Sequence, residues 1–285
     1  MLATEPRAWP PCWPPELGGG IEAYLAEQTF AAITARDETG RLWTSPLGGP
    51  PGFLEVTGPT ELVVHTIAAP GDPLHQLGPG QSVGLVVDFA EAGRVRINGL
   101  LTGSDDDMLT IEVEQAFGNC QQFIQRRVLS DENFGLSPAT HVRRDTSFSS
   151  EDLDMIRAAD TFFLGTTNPR RGSDASHRGG PRGFVGVEGN ALWWPNYRGN
   201  NMFNSFGNLA VDPEASLLFV DFGEGRTLHS SGTAELEWGE QGRSGDDGRT
   251  GRITRFTLLK LVAGDTFQSR EFAHHAYARN PQLTG

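Results

Sequence analysis

The sequence predicts a mainly β protein made of two similar halves, each a barrel-like or sandwich-like set of short strands. Short apolar runs alternate with Gly, Pro, Asn and Asp along most of the 285 residues, which is typical of many short strands. Helical segments are few, and this disfavours a doubly wound α/β fold. An internal repeat divides the chain, whose length suits two domains.

The repeat is clearest where Ser45–Phe53 reads SPLGGPPGF and Ser176–Phe184 reads SHRGGPRGF, with six of nine positions identical. The offset between these segments is 176 − 45 = 131 residues. The same order of features continues downstream, where SVGLVVDFAEAGRV from Ser82 matches ASLLFVDFGEGRT from Ala215, followed by Gly99 and Gly232. A tandem repeat of one β unit accounts for this order.

In each half, the sequence predicts one helix followed by several strands. Ser149-Ser150-Glu151-Asp152 is a helix N-terminal signature, and Ile21, Tyr24 and Leu25 have helical spacing. The predicted strands are Phe30–Ala35, Glu61–Ile67, Val83–Phe89, Arg94–Leu100, Met108–Val113, Phe162–Thr166, Phe184–Val187, Leu192–Trp194, Ser216–Phe222 and Thr233–Trp238. We expect domains at residues 1–130 and 149–285, a linker at 131–148, and a mobile surface hairpin loop at Gly239–Gly251.

Composition excludes several functions. The net charge of −13 argues against nonspecific nucleic-acid binding, which needs a basic face. No apolar run reaches the roughly 18 residues of a membrane span, and the N-terminus has no secretory pattern. Cys12 and Cys120 are far apart and lack metal-ligand spacing, so we expect free thiols, no metal site and a cytoplasmic protein.

One segment of this acidic chain carries excess positive charge, because five arginines and only two acids lie between Gly165 and Asn200. There the apolar strand ending in Trp194-Pro195 runs through Asn196-Tyr197-Arg198-Gly199-Asn200-Asn201 into an amphipathic stretch. Free N–H groups at such a helix start favour an anion such as phosphate. Ser176-His177-Arg178-Gly179-Gly180, a short hairpin away, offers further donors. The alternatives are simple N-caps at Asn200 and Asn201 and a tight turn with one exposed arginine.

These segments, within Ser176–Trp238, resemble the pyridoxamine 5′-phosphate oxidase-like family of FMN-binding split barrels. The resemblance includes the strand–strand–helix order and the Gly232–Glu235 element. The first half is similar but weaker, and its Phe117–Gln125 resembles the GNCPKYI-type helix of small family members. The resemblance implies two split β-barrels in one chain, packed as a pseudo-dimer with FMN between them.

Carried over residue by residue, the resemblance implies that Arg178 holds the FMN phosphate, with Ser176 and His177 beside it. Trp194, Pro195, Asn196 and Tyr197 would line the flavin. Asn200 and Asn201 stand where the oxidases have an Arg-Lys pair, so the phosphate site would be weaker or would borrow Arg198 or Arg171. The first half has Pro46-Leu47 in place of His177-Arg178, and His65–Pro70 in place of the Asn-rich turn. We therefore expect it to have lost its own phosphate site and to serve as the partner barrel.

The implied function is an FMN-dependent oxidoreductase acting on a small molecule that the sequence does not identify. A haem-binding split barrel, a user of the deazaflavin F420 and a non-enzymatic flavin-binding module stay open as alternatives. The family's C-terminal Arg–His substrate pattern does not align with Phe267–Tyr277, and no catalytic side chain is assigned. Adjacent His274 and His275 are an improbable metal pair. Whether two chains associate into a homodimer of pseudo-dimers is also open.

Overall fold

A computed structural model describes residues 16–18, 20–87, 94–118, 122–129, 136–199, 202–267 and 271–283. Asn200, Asn201 and both cysteines lie outside these ranges. No helix of the described part is long and apolar enough to cross a membrane.

Two β-sheets with the same topology form the molecule. The elements of the first half are α1 (Gly20–Ala26), β1 (Phe30–Arg36), β2 (Leu42–Gly48), β3 (Leu54–Gly58), β4 (Glu61–Val64), β5 (Ser82–Val87), β6 (Val95–Ser104) and β7 (Leu109–Gly118). After β8 (Arg126–Leu129) and β9 (Leu136–Asp145) come α2 (Ser150–Ala158), β10 (Thr161–Asn168), β11 (Gly172–Gly179), β12 (Gly186–Glu188), β13 (Ala191–Pro195), α3 (Asn204–Leu209), β14 (Glu214–Asp221), β15 (Arg226–Trp238), β16 (Arg252–Phe267) and β17 (Glu271–His275).

The strand orders are β2-β1-β5-β6-β7-β4-β3 and β11-β10-β14-β15-β16-β13-β12, so the seven strands of the first sheet each have a counterpart in the second. The second sheet has β9 as an eighth strand beside β16, and β8 pairs with β17 in a separate two-stranded sheet. Each sheet encloses its own apolar core and forms a split barrel. The sequence prediction of two mainly β split barrels in one chain is therefore confirmed.

The repeat extends to local register. A β-bulge follows Asn98 in the pairing of β6 with β7, and one follows Ser231 in the pairing of β15 with β16. The next residues are Gly99 and Gly232, the glycines that the repeat places at equivalent positions. A Cβ atom would lie 2.2 Å from the Glu112 carbonyl oxygen at Gly99 and 2.0 Å from the Thr257 carbonyl oxygen at Gly232. Glycine is therefore required at both bulges.

The two barrels pack against each other through a third apolar cluster. Phe30 of β1 meets Phe163 of β10, with ring centroids 5.4 Å apart, and both rings are buried. Thr44 Oγ1 of β2 lies 2.7 Å from Ser216 Oγ of β14, so buried hydroxyl groups also pair across the interface. Burial of aromatic rings from both barrels is the packing expected of an obligate pseudo-dimer.

Several sequence expectations need correction. The predicted strands missed β2, β3, β8, β9, β11, β16 and β17, and Glu61–Ile67 is a strand only as far as Val64. The described part of the segment predicted to resemble a GNCPKYI-type helix is not helical: residues 117 and 118 end β7, and Phe123 has a left-handed backbone (φ 62°) that interrupts any helix.

Two connecting segments are more ordered than their composition suggests. Within the predicted linker, Leu136–Asp145 forms strand β9 and pairs with β16. The predicted mobile loop does join β15 to β16 as a hairpin, but the buried Asp246 carboxylate accepts hydrogen bonds from the N–H groups of Gly242, Thr250 and Gly251. The domain boundaries stay a prediction.

The α2 prediction is accurate. Ser149 caps the helix, its side chain accepts from the Asp152 N–H, and the Asp152 carboxylate accepts from the Ser149 N–H. This reciprocal pair is a capping box. α3 starts later than expected, because its N-cap is Phe203 rather than Asn200 or Asn201. It is only six residues long, which removes the helix-dipole argument for an anion at its start.

Candidate functional site: a cationic cleft between the barrels

The cleft begins at the end of β11, where Arg178 faces the first barrel. A cavity of about 120 Å³ lies here, and Arg178 lines it together with Arg94 and Arg96 from the start of β6. His177, Trp194, Pro195, Asn196 and Tyr197 complete the wall from the second barrel, and Gln122 and Phe123 from the other side. Six of the ten site residues predicted from the sequence are thus brought together.

The other four predicted residues are placed differently. Ser176 is buried behind the wall, and its hydroxyl donates to the Leu164 carbonyl. Arg198 is exposed and does not line the cavity. Asn200 and Asn201 lie outside the described residues. The additional cations come from Arg94 and Arg96 of the first barrel, not from Arg198.

Two further spaces extend the cleft along the interface. A cavity of about 100 Å³ shares Arg96, Arg178 and Tyr197 with the first and adds Arg252. A third, of about 350 Å³, shares Phe203 with the second and adds Arg171 at its edge. None of the described residues lining the first two cavities is acidic, so four guanidinium groups meet there without a carboxylate in the wall.

The nearest carboxylate is already engaged behind that wall. Asp174 Oδ2 lies 3.1 Å from Arg96 Nη1, and Asp174 Oδ1 accepts from Asn98 Nδ2 at 3.3 Å. Among the described residues no acidic group lies within salt-bridge distance of Arg178, and the buried Nε of this arginine has no hydrogen-bond partner. A buried donor without a partner is costly, and a bound acceptor would remove that cost.

Burial, followed by the charge of Arg96, lowers the pKa of Arg178 to about 9; Asp174 opposes this shift, and Arg94 adds a smaller contribution to it. Arg178 therefore stays protonated at neutral pH and is held in a repulsive field. Burial, followed by the charges of Arg94, Arg127 and Arg178, lowers the pKa of His177 well below its ordinary value. His177 is thus neutral at pH 7, and the positive charge of the cleft resides on arginines.

The strand end that carries Asn196 and Tyr197 is held by the β15–β16 hairpin. The Asn196 N–H donates to the Arg252 carbonyl at 2.9 Å, and Thr250 Oγ1 donates to the Asn196 carbonyl at 2.6 Å. The Tyr197 ring packs on Phe123, with centroids 4.8 Å apart, and burial raises the pKa of the Tyr197 hydroxyl. This buried hydroxyl also has no hydrogen-bond partner among the described residues.

Arg94, Arg96, Phe123 and Arg252 were not identified by sequence reasoning. The signal that could have found Arg94 and Arg96 is the repeat itself, because pseudo-dimer packing brings a strand of one copy against the other. β6 and β5 do contact β11 across the interface. Phe123 is brought close by the chain path after β7, which no local pattern indicates.

Comparison with known proteins gives a family match in the second half of the chain. The sequence profile of the pyridoxamine 5′-phosphate oxidase family matches residues 148–245, which include Arg178 and Trp194–Tyr197. No curated protein is significantly similar to the chain.

Three solved structures with a similar fold each match less than half of this chain. HupZ from Group A Streptococcus is 11% identical, and the match covers 40% of this chain and 91% of that one with a TM-score of 0.33. A Clostridium acetobutylicum protein related to general stress protein 26, of the pyridoxinephosphate oxidase family, is 14% identical over 43% and 91% of the chains (TM-score 0.31). HutZ, a haem storage protein from Vibrio cholerae, is 13% identical over 42% and 97% (TM-score 0.31). Residues 148–245, in the second half of the chain, are therefore similar to the pyridoxamine 5′-phosphate oxidase family.

Proposed function

We propose that this protein binds FMN in the cationic cleft and is an FMN-dependent oxidoreductase acting on a small molecule. The observation that carries the proposal is the set of three arginines, Arg94, Arg96 and Arg178, around one cavity whose described walls contain no acid. A phosphate dianion matches such a set, because guanidinium groups bind phosphate oxygens through charge-assisted hydrogen bonds. The partnerless Nε of Arg178 supports the same assignment.

The dimensions of the cleft support a ligand larger than phosphate. The cavities of about 120 and 100 Å³ are each below the roughly 300–1,000 Å³ of ordinary cofactor pockets. They share lining residues, and the second also shares residues with the 350 Å³ cavity, so together the three spaces reach that range. The phosphate would lie on Arg178, Arg96 and Arg94, with Trp194 and Tyr197 beside the rest of the ligand.

Bound FMN would supply the electron-accepting ring, and the residues of this chain would supply position and charge. Arg178, which remains protonated at neutral pH, would fix the phosphate end. Neutral His177 adds no charge and offers ring nitrogens that accept or donate one hydrogen bond each. An enzyme of this kind needs no catalytic acid or base from its side chains, which agrees with the lack of an assigned one.

The test is the absorption spectrum of the full chain purified without cofactor, then mixed with FMN and desalted. We expect a two-band yellow spectrum and one FMN retained per chain. A Soret band in the purified protein would indicate haem instead, and retention of F420 but not FMN would indicate a deazaflavin protein; either result overturns the proposal. Oxidation of pre-reduced, protein-bound FMN by a panel of small molecules then separates an enzyme from a flavin-binding module.

A further inference from the structure

A fourth cavity, of about 890 Å³, lies apart from the cleft and shares no described lining residue with its three spaces. Its walls are the β1–β2 hairpin, the loop after β4, strand β9 and the middle of β16. Because β9 has no counterpart in the first sheet, one wall of this cavity has no equivalent at the cleft. Its volume lies within the roughly 300–1,000 Å³ of ordinary small-molecule pockets. We call it the lysine cavity, after Lys260 in its wall, the single lysine of the chain.

Three cations from three different elements line the lysine cavity. Val262 of β16 belongs to the apolar core of the first barrel, and Arg144 of β9 is its direct cross-strand partner. Cross-strand partners share a face of a sheet, and so do residues two apart along a strand. Arg144 and Lys260 therefore lie on the face that is turned toward the first barrel. Arg41 lines the same cavity from the β1–β2 hairpin of that barrel.

None of these three cations is neutralised within the described part of the chain. Arg41 and Lys260 make no side-chain hydrogen bond or ion pair there, and Arg144 only donates to the Gly71 carbonyl at 3.3 Å. By contrast, Arg36 at the end of β1 pairs with the Glu214 carboxylate at 2.6 Å. Unpaired cations that line one cavity can each accept an anionic group from outside the protein.

The acids in the wall do not supply the missing negative charge. Asp37 accepts hydrogen bonds from the Arg41 N–H at 3.0 Å and from the Trp43 indole Nε1 at 2.8 Å, so both of its oxygens hold the hairpin turn. Asp72 is buried, and its Oδ1 accepts hydrogen bonds inside the protein. Glu38 is exposed and has no partner among the described residues. Three unpaired cations thus face one free acid in the described wall.

We propose that the lysine cavity binds a small anion with at least two negatively charged groups, held by Arg41, Arg144 and Lys260. One anionic group is matched by a single guanidinium fork, whereas cations on three elements suit charges that are spread over the ligand. Polycarboxylates and polyphosphates share this chemistry, since arginine and lysine bind the oxygens of both. The site is independent of FMN, because none of its three cations lines the cleft.

Amine modification reports on this cavity at one position, because the chain has a single lysine. The full chain is acetylated with N-hydroxysuccinimide acetate in citrate, in tripolyphosphate, or in acetate of equal ionic strength. Peptide mass spectrometry then gives the rates at Lys260 and at the α-amino group of the chain. We expect citrate or tripolyphosphate, at about ten times its dissociation constant, to slow the reaction of Lys260 about tenfold. The α-amino rate should not change, and acetate should give no protection.

Substitutions in the wall test which residues hold the anion. Arg41→Gln and Arg144→Gln should each raise the half-protecting concentration at least about threefold, because each removes one charged contact from a partly exposed site. Glu38→Gln should lower this concentration, because it removes the free acid. Arg170→Gln is the matched control, since Arg170 is an exposed arginine of the β10–β11 hairpin whose side chain has no described partner. It should leave the protection unchanged.

The proposal is overturned if neither probe protects Lys260, if acetate protects it equally well, or if protection survives both wall-arginine substitutions. Arg178→Leu separates this cavity from the cleft, because the probes are also anions that the cleft can attract. Protection should persist in Arg178→Leu, and its disappearance there would overturn the proposal. Protection by only one probe supports the site and identifies carboxylate or phosphate as the group it recognises.

Discussion

The end of β11 and the end of β2 are equivalent places in the two barrels, yet they carry opposite chemistry. At offset 131, Arg178 on β11 corresponds to Leu47 on β2, which is fully buried in the first apolar core. Counted back from the equivalent bulges, Arg96 corresponds to His229 and Arg94 corresponds to Thr227. The same topology therefore builds a cationic cleft on one side of the interface and a packed region without these arginines on the other. Retention of a fold does not entail retention of a site.

The loop after β4 fills the position in the first barrel that is equivalent to the cleft. Residues 65–81, all described, contain no helix and carry the buried Ala68, Ala69 and Asp72. Asp72 accepts hydrogen bonds from Ser45 Oγ at 2.6 Å and from the Leu74 N–H at 2.8 Å, and Asp72 Oδ2 lies 3.5 Å from His229 Nε2. A carboxylate of the chain itself thus faces the residue that corresponds to Arg96.

The largest effect should come from placing an arginine in the first barrel, at the position equivalent to Arg178. Leu47→Arg buries a guanidinium in an apolar core, so the free energy of unfolding should fall by about 3–5 kcal/mol. Leu47→Met, which conserves volume, should cost less than about 1.5 kcal/mol. Urea denaturation measures both, and equal stability of the two variants would mean that the first-barrel place tolerates a cation.

Removal of Arg178 should separate binding from stability. Arg178→Leu removes a charge-assisted phosphate contact of about 1.5–3 kcal/mol, so FMN affinity should fall about tenfold to a hundredfold. The unfolding free energy should hold or rise, since the cost of burying the Arg178 charge and its repulsion by Arg96 are relieved. Fluorescence titration and urea denaturation give the two values. Parent-like FMN affinity, or two equal FMN sites per chain, would refute the assignment to the second barrel.

The buried carboxyl group of Asp72 should make the free energy of unfolding depend on pH. Burial, opposed mainly by His229, raises the pKa of Asp72 above its ordinary 3.8. A raised carboxyl pKa contributes stability that is fully present below the unfolded value and is lost as pH rises through the folded value. Each pH unit between these values costs about 1.4 kcal/mol.

Asp72→Asn keeps the hydrogen bonds to Ser45 and Leu74 and abolishes this titration. The stability of the parent relative to Asp72→Asn should therefore decrease as pH rises from about 4 toward neutrality, as measured by urea denaturation at several pH values. A pH-independent difference would show that Asp72 stays in one protonation state throughout.

The smallest effects should come from the two asparagines that stand where the oxidases have cations. Asn200→Ala and Asn201→Ala each remove at most one neutral hydrogen bond, worth about 0.5–1.5 kcal/mol, so FMN affinity should fall by less than about tenfold. The same fluorescence titration ranks them against Arg178→Leu. A loss at either asparagine that exceeds the loss at Arg178 would move the centre of the phosphate site toward the β13–α3 connection.

Sequence reasoning identified the half of the site that lies on contiguous segments. Arg178, His177 and Trp194–Tyr197 follow from the repeat and the resemblance, because each lies on one strand or its end. β2 and β11 were missed because LWTSPLG and GSDASHRG have low strand propensity, and burial between the barrels overrides that propensity. Arg94, Arg96 and Arg252 were missed for another reason, since their proximity to Arg178 exists only after the barrels dock and the long hairpin folds back.

The cleft draws its arginines from both barrels, and both barrels belong to one polypeptide. In a symmetric homodimer every substitution appears twice, and each half-site forms only at concentrations where the subunits associate. Here the covalent connection fixes the effective concentration of one barrel around the other, so dilution does not separate the two barrels that form the cleft. A substitution on β6 or β11 also changes one side of the interface and leaves the equivalent position on the other side unchanged. The single chain is thereby released from symmetry, and one half of the interface can specialise while its twin serves as scaffold.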